Sequence, residues 1–167
     1  MSRNSVPLDA FLGKHRPDIE VLDLAKCAGE EVERVFPQIE AKNQTLVVQL
    51  STSSKVRASR EELIRVIVEL LKNAHKFTPS QGKIMVKSEK LDEYVKVSVI
   101  DTGIGITPEQ QASIFGESNR ISDGLVIRDS GLGLAIARMI IDYFGGEIGF
   151  ENELSKGSTF WFTVPSA

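Results

Sequence analysis

The chain has 167 residues, a hydrophobic content of 41%, a charged content of 26% and a formal net charge of −3. These values predict one soluble globular domain and give no electrostatic reason to expect a nucleic-acid partner. No apolar run approaches the roughly 20 residues that span a bilayer, and the single cysteine, Cys27, excludes an internal disulfide and fits a reducing, cytoplasmic compartment.

The first quarter of the chain predicts a tail followed by a helix. Residues 1–20 contain two prolines and a glycine among mixed charges, so we predict a tail or linker ahead of one domain over residues 21–167. Asp23 is a suitable N-cap for a helix. The apolar residues behind it recur at helical spacing, namely Leu24, Ala28, Val32, Val35 and Ile39. Pro37 should kink this helix or end it early.

Two short β-prone runs and a second helix come next. Residues 45–50 and 55–58 predict strands. Ser59 precedes a helix predicted over residues 60–77, and Glu62, three residues after Ser59, completes a capping-box pattern. A proline shortly after residue 77 ends the helix.

The C-terminal half predicts a hairpin, a loop, a helix and two final strands. Apolar residues alternate on both sides of a turn at residues 91–94, so we predict an antiparallel hairpin that ends at Asp101. We expect a mobile loop with one short helix over residues 107–130, and an apolar helix over residues 134–144. The last strands are residues 147–151 and 158–164. Helices interleaved with hairpins predict a two-layer α/β sandwich with a mixed, mostly antiparallel sheet covered on one face by helices.

Asp101 is the first candidate for a binding residue. A carboxylate at the end of an apolar strand can accept a hydrogen bond from the exocyclic amine of adenine, which contributes about 1.5–3 kcal/mol. Gly103 and Gly105 follow it and let the backbone approach a flat ring closely. The alternative is an aspartate that only initiates a turn.

A second pair of glycines suits phosphate binding. Gly131 and Gly133 are predicted immediately before a helix, where free N–H groups and the positive end of the helix dipole attract phosphate. A flexible hinge would explain these glycines equally well. The chain has no G-x-G-x-x-G and no G-x-x-x-x-G-K-[ST] pattern, which excludes the Rossmann and P-loop solutions.

A polar stripe on the second helix could bind a metal ion and phosphate. Glu69, Asn73 and Lys76 are spaced i, i+4 and i+7 and therefore share one face. An amide oxygen suits Mg²⁺, a lysine can pair with phosphate oxygens, and a glutamate can orient or deprotonate a nucleophile. The alternative is an ordinary solvated polar stripe.

The order of these motifs resembles the catalytic ATP-binding domain of sensor histidine kinases, in the superfamily that includes gyrase and mismatch-repair ATPases. Residues 69–79, ELLKNAHKFTP, are similar to the N-box of that family. Residues 101–105 and 131–136 look like its two glycine boxes, and residues 157–160 resemble its C-terminal signature. The resemblance covers residues 22–165 and implies a Bergerat-type ATP-binding fold with ATP and Mg²⁺ as cofactors.

The resemblance also implies roles for individual residues. On the phosphate side, Asn73 would ligate Mg²⁺, Lys76 would contact phosphate and Glu69 would act on the nucleophile. On the adenine side, Asp101 would accept the amine. The other implied adenine contacts are Phe77, Gly103, Gly105, Ile106 and Thr159. The implied phosphate cradle is Gly131, Leu132, Gly133 and Leu134, beneath a lid of residues 116–130.

The implied reaction is transfer of the ATP γ-phosphoryl group to a histidine on a separate dimerisation domain, which then serves a response regulator. Neither His15 nor His75 fits the acceptor pattern, so the acceptor is expected outside this chain. Glu69 stands where sensor kinases usually have asparagine, and residues 116–118 lack an expected phenylalanine. A regulatory nucleotide-binding module without phosphotransfer, or an anti-sigma-type serine kinase, are the alternatives. No direct contact with nucleic acid or membrane is expected.

Overall fold

A mixed β-sheet with helices packed on one face forms the frame of the protein. The structure is a computed structural model, which describes residues 18–51, 54–103, 125–153 and 157–167. The elements in chain order are β1 (Glu20–Asp23), α1 (Leu24–Ala41), β2 (Thr45–Gln49), β3 (Lys55–Ala58), α2 (Arg60–Phe77), β4 (Lys83–Leu91), β5 (Tyr94–Asp101), α3 (Leu125–Phe144), β6 (Ile148–Glu153) and β7 (Gly157–Pro165). The predicted fold class, a two-layer α/β sandwich, is confirmed.

Within the described ranges, five strands form one sheet in the order β2-β4-β5-β7-β6. β2 runs parallel to β4, and the remaining neighbours are antiparallel. The predicted hairpin is present as β4 and β5, joined by a turn at Asp92 and Glu93. β1 and β3 pair separately as an antiparallel ribbon. β1 was not predicted, and it begins at Glu20, the last residue of the predicted tail.

The alternation of side chains along the central strands decides which residues face the helices. Val95, Val97 and Val99 of β5 are buried, and so are Phe160 and Phe162 of β7. Helix residues complete the core, among them Leu63, Ile67 and Leu70 of α2 and Ile140 and Ile141 of α3. Burying a side chain of this size contributes about 1.5–3 kcal/mol. Between them, Ile100 of β5 and Thr159 and Trp161 of β7 face away from the helices and are partly exposed, whereas Ser98 of β5 is buried.

The ends of the first two helices follow the prediction only in part. Asp23 caps α1, accepting a hydrogen bond from the Lys26 amide at 3.2 Å. Pro37 does not end this helix early, because the following turn is anchored by Ile39, which is buried in the core. The capping box at the start of α2 is wrong. Ser59 makes no side-chain cap hydrogen bond, and the Glu62 carboxylate pairs instead with the next turn of its own helix.

The start of α3 also differs from the prediction. The helix begins at Leu125, so Gly131–Leu134 lie inside it rather than before it, and residues 125–130 belong to the helix rather than to the predicted loop. Glycine disfavours a helix interior by about 1 kcal/mol, which is why the sequence placed the boundary after Gly133. The structure uses Gly133 for a close contact with α2, described below. No helix in the described part of the chain combines the length and apolar character needed to cross a membrane.

Candidate functional site

Asp101 lies at the end of β5 with 4% of its surface exposed, among side chains that face the helices. Its Oδ1 accepts a hydrogen bond from the Gly103 amide at 2.8 Å, and its Oδ2 accepts one from the Ser158 hydroxyl at 3.1 Å. Burial raises the pKa of this carboxyl above its ordinary value, and the hydrogen bonds from Gly103 and Ser158 act in the opposite direction. A carboxylate offers about four lone-pair positions, so both oxygens retain capacity for a further donor.

Gly103 brings the strand end against α2. A Cβ atom at this position would overlap the carbonyl oxygen of Phe77 and would lie 2.8 Å from Oδ1 of Asp101. Only a residue without a side chain permits this approach. The contact joins the strand that carries Asp101 to the helix that carries the polar stripe.

Ser158, rather than Thr159, reaches Asp101. Ser158 is the register partner of Asp101 across β5 and β7, whereas Thr159 is paired with Ile100. Because successive side chains of a strand point to opposite faces, Thr159 lies on the face away from the helices and its predicted contact near the adenine is corrected. The missed signal was the period of two that places Ser158 in line with the apolar residues Phe160 and Phe162.

The polar stripe on α2 is present, with its members differing in exposure. Asn73 is buried, at 4% exposed, Glu69 is half-buried and Lys76 is exposed. The Asn73 amide nitrogen is 3.5 Å from Oε2 of Glu69. Lys76 Nζ lies 5.6 Å from the centroid of the Phe77 ring, within the range of a cation–π interaction. The predicted stripe therefore points its amide into the protein and its ammonium toward solvent.

Glu69 also contacts α3. A Cβ atom at Gly133 would overlap the Glu69 carboxylate, so this glycine allows the carboxylate to lie directly against the helix backbone. The amide groups of Gly131–Leu134 lie more than one turn into α3, and the unpartnered N–H groups of a helix belong to its first turn. These residues therefore do not supply the free amide groups of a helix start, as the sequence predicted, and their contact with phosphate stays a prediction. Leu134 is buried in the core.

The structure brings four separate sequence segments together at this place. Asp101 and Gly103 contact Ser158 from the C-terminal strand and Phe77 from α2, while Glu69 of α2 contacts Gly133 of α3. Gly105 and Ile106, which were predicted to contact adenine, lie outside the described residues, as do His15 and most of the predicted lid.

The side chains at this place fit a magnesium ion that is bound mainly by water and by the phosphate oxygens of a bound molecule. Within the residues that the structure describes, no group of three or more His, Cys, Asp or Glu side chains could hold a metal ion by itself. The Asn73 amide nitrogen is directed at Glu69, which leaves the amide oxygen as the atom available to a cation. Mg²⁺ commonly keeps one or two protein ligands together with water and phosphate oxygens.

A cleft of about 640 Å³ lies at the other end of the sheet, between the β4–β5 turn and the start of β6. Its lining includes Leu91, Tyr94 and Glu147 but no residue of the four motifs. β5 begins beside this cleft and ends at Asp101, so the whole strand separates it from the motif residues. Its position argues against a part in the chemistry of those residues.

Residues 58–167 match the protein family described as histidine kinase-, DNA gyrase B- and HSP90-like ATPase. The adaptive-response sensory kinase SasA of Thermosynechococcus vestitus is 38% identical over 146 residues, which make up 86% of this chain and 38% of SasA. The chain spans less than half the length of the curated relatives that it matches.

Solved structures of histidine kinases have the same fold. The nucleotide-free catalytic domain of ThkA gives a TM-score of 0.76 at 30% identity, over 89% of this chain and 95% of that one. ThkA in complex with the response regulator protein TrrA gives 0.74 at 29% identity, over 89% and 42%. Full-length ShkA in complex with AMPPNP gives 0.81 at 28% identity, over 96% of this chain and 34% of that one.

Proposed function

Because the chain belongs to the histidine kinase-, DNA gyrase B- and HSP90-like ATPase family, we propose that it is the ATP-binding catalytic domain of a two-component sensor histidine kinase. It binds Mg-ATP and transfers the γ-phosphoryl group to a histidine on a separate dimerisation domain of its parent protein. The observation that carries this proposal is the buried Asp101 carboxylate, held by Gly103 and Ser158 where the four motifs meet.

Asp101 would recognise adenine through its exocyclic amine. The carboxylate is fixed by two hydrogen bonds and retains acceptor positions, so an amine donor gains a partner that needs no rearrangement. Guanine carries a carbonyl oxygen at that position, which would face the carboxylate as a second acceptor. Phe77, half-buried beside Gly103, offers an aromatic ring for the purine to pack on.

The face of α2 would hold the triphosphate. The Asn73 amide oxygen would bind Mg²⁺, and the Lys76 ammonium would pair with phosphate oxygens. Bound Mg²⁺ supplies charge neutralisation on the phosphate oxygens. Gly131–Leu134 would lie near the phosphates, and the contact of Gly133 with Glu69 supports this position.

Glu69 would act on the attacking group. A neutral imidazole of the acceptor attacks the γ-phosphorus, the bond from that phosphorus to the bridging oxygen of ADP breaks, and ADP leaves with the bond's electrons. The ring must then lose the proton on its other nitrogen. The Glu69 carboxylate can accept this proton, or it can orient the ring by accepting a hydrogen bond from that nitrogen. The Asn73 amide helps to orient this carboxylate, as their 3.5 Å separation indicates.

The acceptor domain and a response regulator are the partners that this function requires. The relatives are named as sensory and sensor kinases and are more than twice as long as this chain. The ThkA structure pairs a histidine kinase with a response regulator. We expect the present chain to meet its regulator only through the phosphorylated dimerisation domain.

Asp101→Asn tests the adenine contact. The variant should lose about 10-fold to 150-fold in affinity for Mg-ATP in calorimetry, since the hydrogen bond to adenine loses its charge-assisted acceptor. Asp92→Asn is the matched control, because Asp92 is exposed in the turn at the opposite end of β5. Equal affinities for the two variants would overturn the adenine role.

Transfer itself needs a second experiment. The chain is mixed with the dimerisation domain of its parent and with ATP labelled in the γ-phosphate. We expect the label on histidine, as an acid-labile phosphoramidate. An acid-stable product on serine, or ATP binding without any labelled product, would contradict the kinase assignment.

A further inference from the structure

The connection between α1 and β2, residues 42–44, lies outside the proposed nucleotide site and hydrogen-bonds to the C-terminal turn of α2. That turn carries Asn73, Lys76 and Phe77, so its position decides where the proposed magnesium, phosphate and adenine contacts lie. The last carbonyl groups of a helix lack partners within the helix. The Lys42 ammonium donates to the carbonyl oxygens of His75, at 2.9 Å, and of Lys76, at 3.3 Å.

Gln44 makes a more specific contact with the same turn. Its buried side chain donates from Nε2 to the carbonyl oxygens of His75, at 2.9 Å, and Thr78, at 2.5 Å. These two acceptors fix the orientation of the amide, so Oε1 faces Nδ1 of the His75 ring at 2.8 Å. Because an amide oxygen can only accept, Nδ1 must carry the proton in this contact.

The connection is also tied to the strand that carries the adenine anchor. The Thr45 amide donates to the carbonyl oxygen of Gly82 at 2.9 Å. The next residue, Lys83, exchanges two hydrogen bonds with Thr102, through the Thr102 amide at 3.1 Å and the Thr102 hydroxyl at 2.9 Å. Thr102 directly follows Asp101, so the connection is linked to both sides of the nucleotide site.

We propose that Gln44 is a positioning residue for Mg-ATP, which holds the backbone and ring of His75 and thereby sets the C-terminal turn of α2 at its working distance from Asp101. Gln44 acts through the helix and does not touch the nucleotide. This inference rests on the nucleotide site proposed above.

Gln44→Met removes the amide and keeps the length of the side chain. The dissociation constant of Mg-ATP, measured by calorimetry on the 167-residue chain, should rise about fivefold to tenfold. Gln49→Met, the same substitution at an exposed position of β2, should leave it unchanged. Asp101→Asn is measured beside them. If only Asp101→Asn weakens binding, the positioning role is overturned, whereas unchanged binding in Asp101→Asn overturns the nucleotide site itself.

The unsubstituted chain offers a test that does not depend on the folding of any variant. Nitrogen NMR of the His75 ring distinguishes its two neutral tautomers. We expect the proton on Nδ1. A ring protonated only on Nε2 could not donate to Gln44, and that result would overturn the proposal.

Discussion

The proposed adenine end of the site is built by paired strands, whereas the proposed catalytic end is built by the faces of two helices. Asp101 and Ser158 face each other because the register of β5 and β7 makes them partners, and both are buried. Glu69 and Asn73 are neighbours on α2, and Gly133 meets Glu69 only because α2 packs against α3. Backbone hydrogen bonds therefore fix the first end, and side-chain packing fixes the second.

This difference predicts how each end responds to substitution. At the adenine end a substituted side chain would contact rigid backbone, so the stability of the fold and the affinity for Mg-ATP should both decrease. At the catalytic end it would contact the tips of flexible side chains, so the transfer rate should decrease while the stability of the fold does not. The following substitutions test this division, from the largest expected effect to the smallest.

Glu69→Gln should have the largest effect, confined to the chemical step. Loss of a proton acceptor should lower the rate of histidine phosphorylation about 100-fold, while the dissociation constant of Mg-ATP changes little. Quenched-flow transfer to the dimerisation domain, together with calorimetry, measures both quantities. Glu61→Gln, at an exposed position of the first turn of α2, is the control. A variant with a normal rate would remove Glu69 from the mechanism.

Gly103→Ala should damage fold and binding together. The added methyl group would overlap the Phe77 carbonyl oxygen, which belongs to the backbone and cannot move alone. We expect the free energy of unfolding in urea to fall by about 2 kcal/mol and the affinity for Mg-ATP to fall with it. If stability were lost without any loss of affinity in the folded fraction, the contact would not belong to the nucleotide site.

Gly133→Ala should show the opposite pattern. Its methyl group would meet the Glu69 carboxylate, the mobile end of a long side chain, and alanine favours a helix interior over glycine by about 1 kcal/mol. Stability should therefore stay the same or rise. The transfer rate should fall about tenfold because Glu69 is displaced, a loss equivalent to about 1.4 kcal/mol. A clear loss of stability would show that the α2–α3 contact is as rigid as the strand end.

Asp101 should leave a small signature in the pH dependence of stability. Its pKa in the folded chain is raised above the ordinary value of 3.8, so the folded state binds this proton more tightly than the unfolded state. The tighter binding of this proton stabilises the folded state. This stabilisation is present below the pKa of the unfolded chain and is lost as the pH rises through the pKa of the folded chain. Urea unfolding of the unsubstituted chain and of Asp101→Asn over about pH 3 to pH 7 measures the difference. A pH dependence identical in both would contradict the raised pKa.

Local sequence patterns were sufficient for the strands around the site and for the stripe on α2. A period of two identified β4, β5 and β7, and a spacing of four and seven residues placed Glu69, Asn73 and Lys76 on one face. The same patterns misplaced the start of α3, because two glycines looked like a boundary. The family resemblance gave Thr159 as the contact rather than Ser158, because the motif was considered without its strand register.

The sequence by itself determined the class of fold, the order of the motifs and the acidic residue at the end of β5, since these follow from local periodicity and residue chemistry. Tertiary structure decided which hydroxyl reaches Asp101, which carboxylate rests on Gly133 and which connection holds the end of α2. Each of these depends on contacts between residues far apart in the chain. Their distances are set by strand register and helix packing, which no local pattern contains.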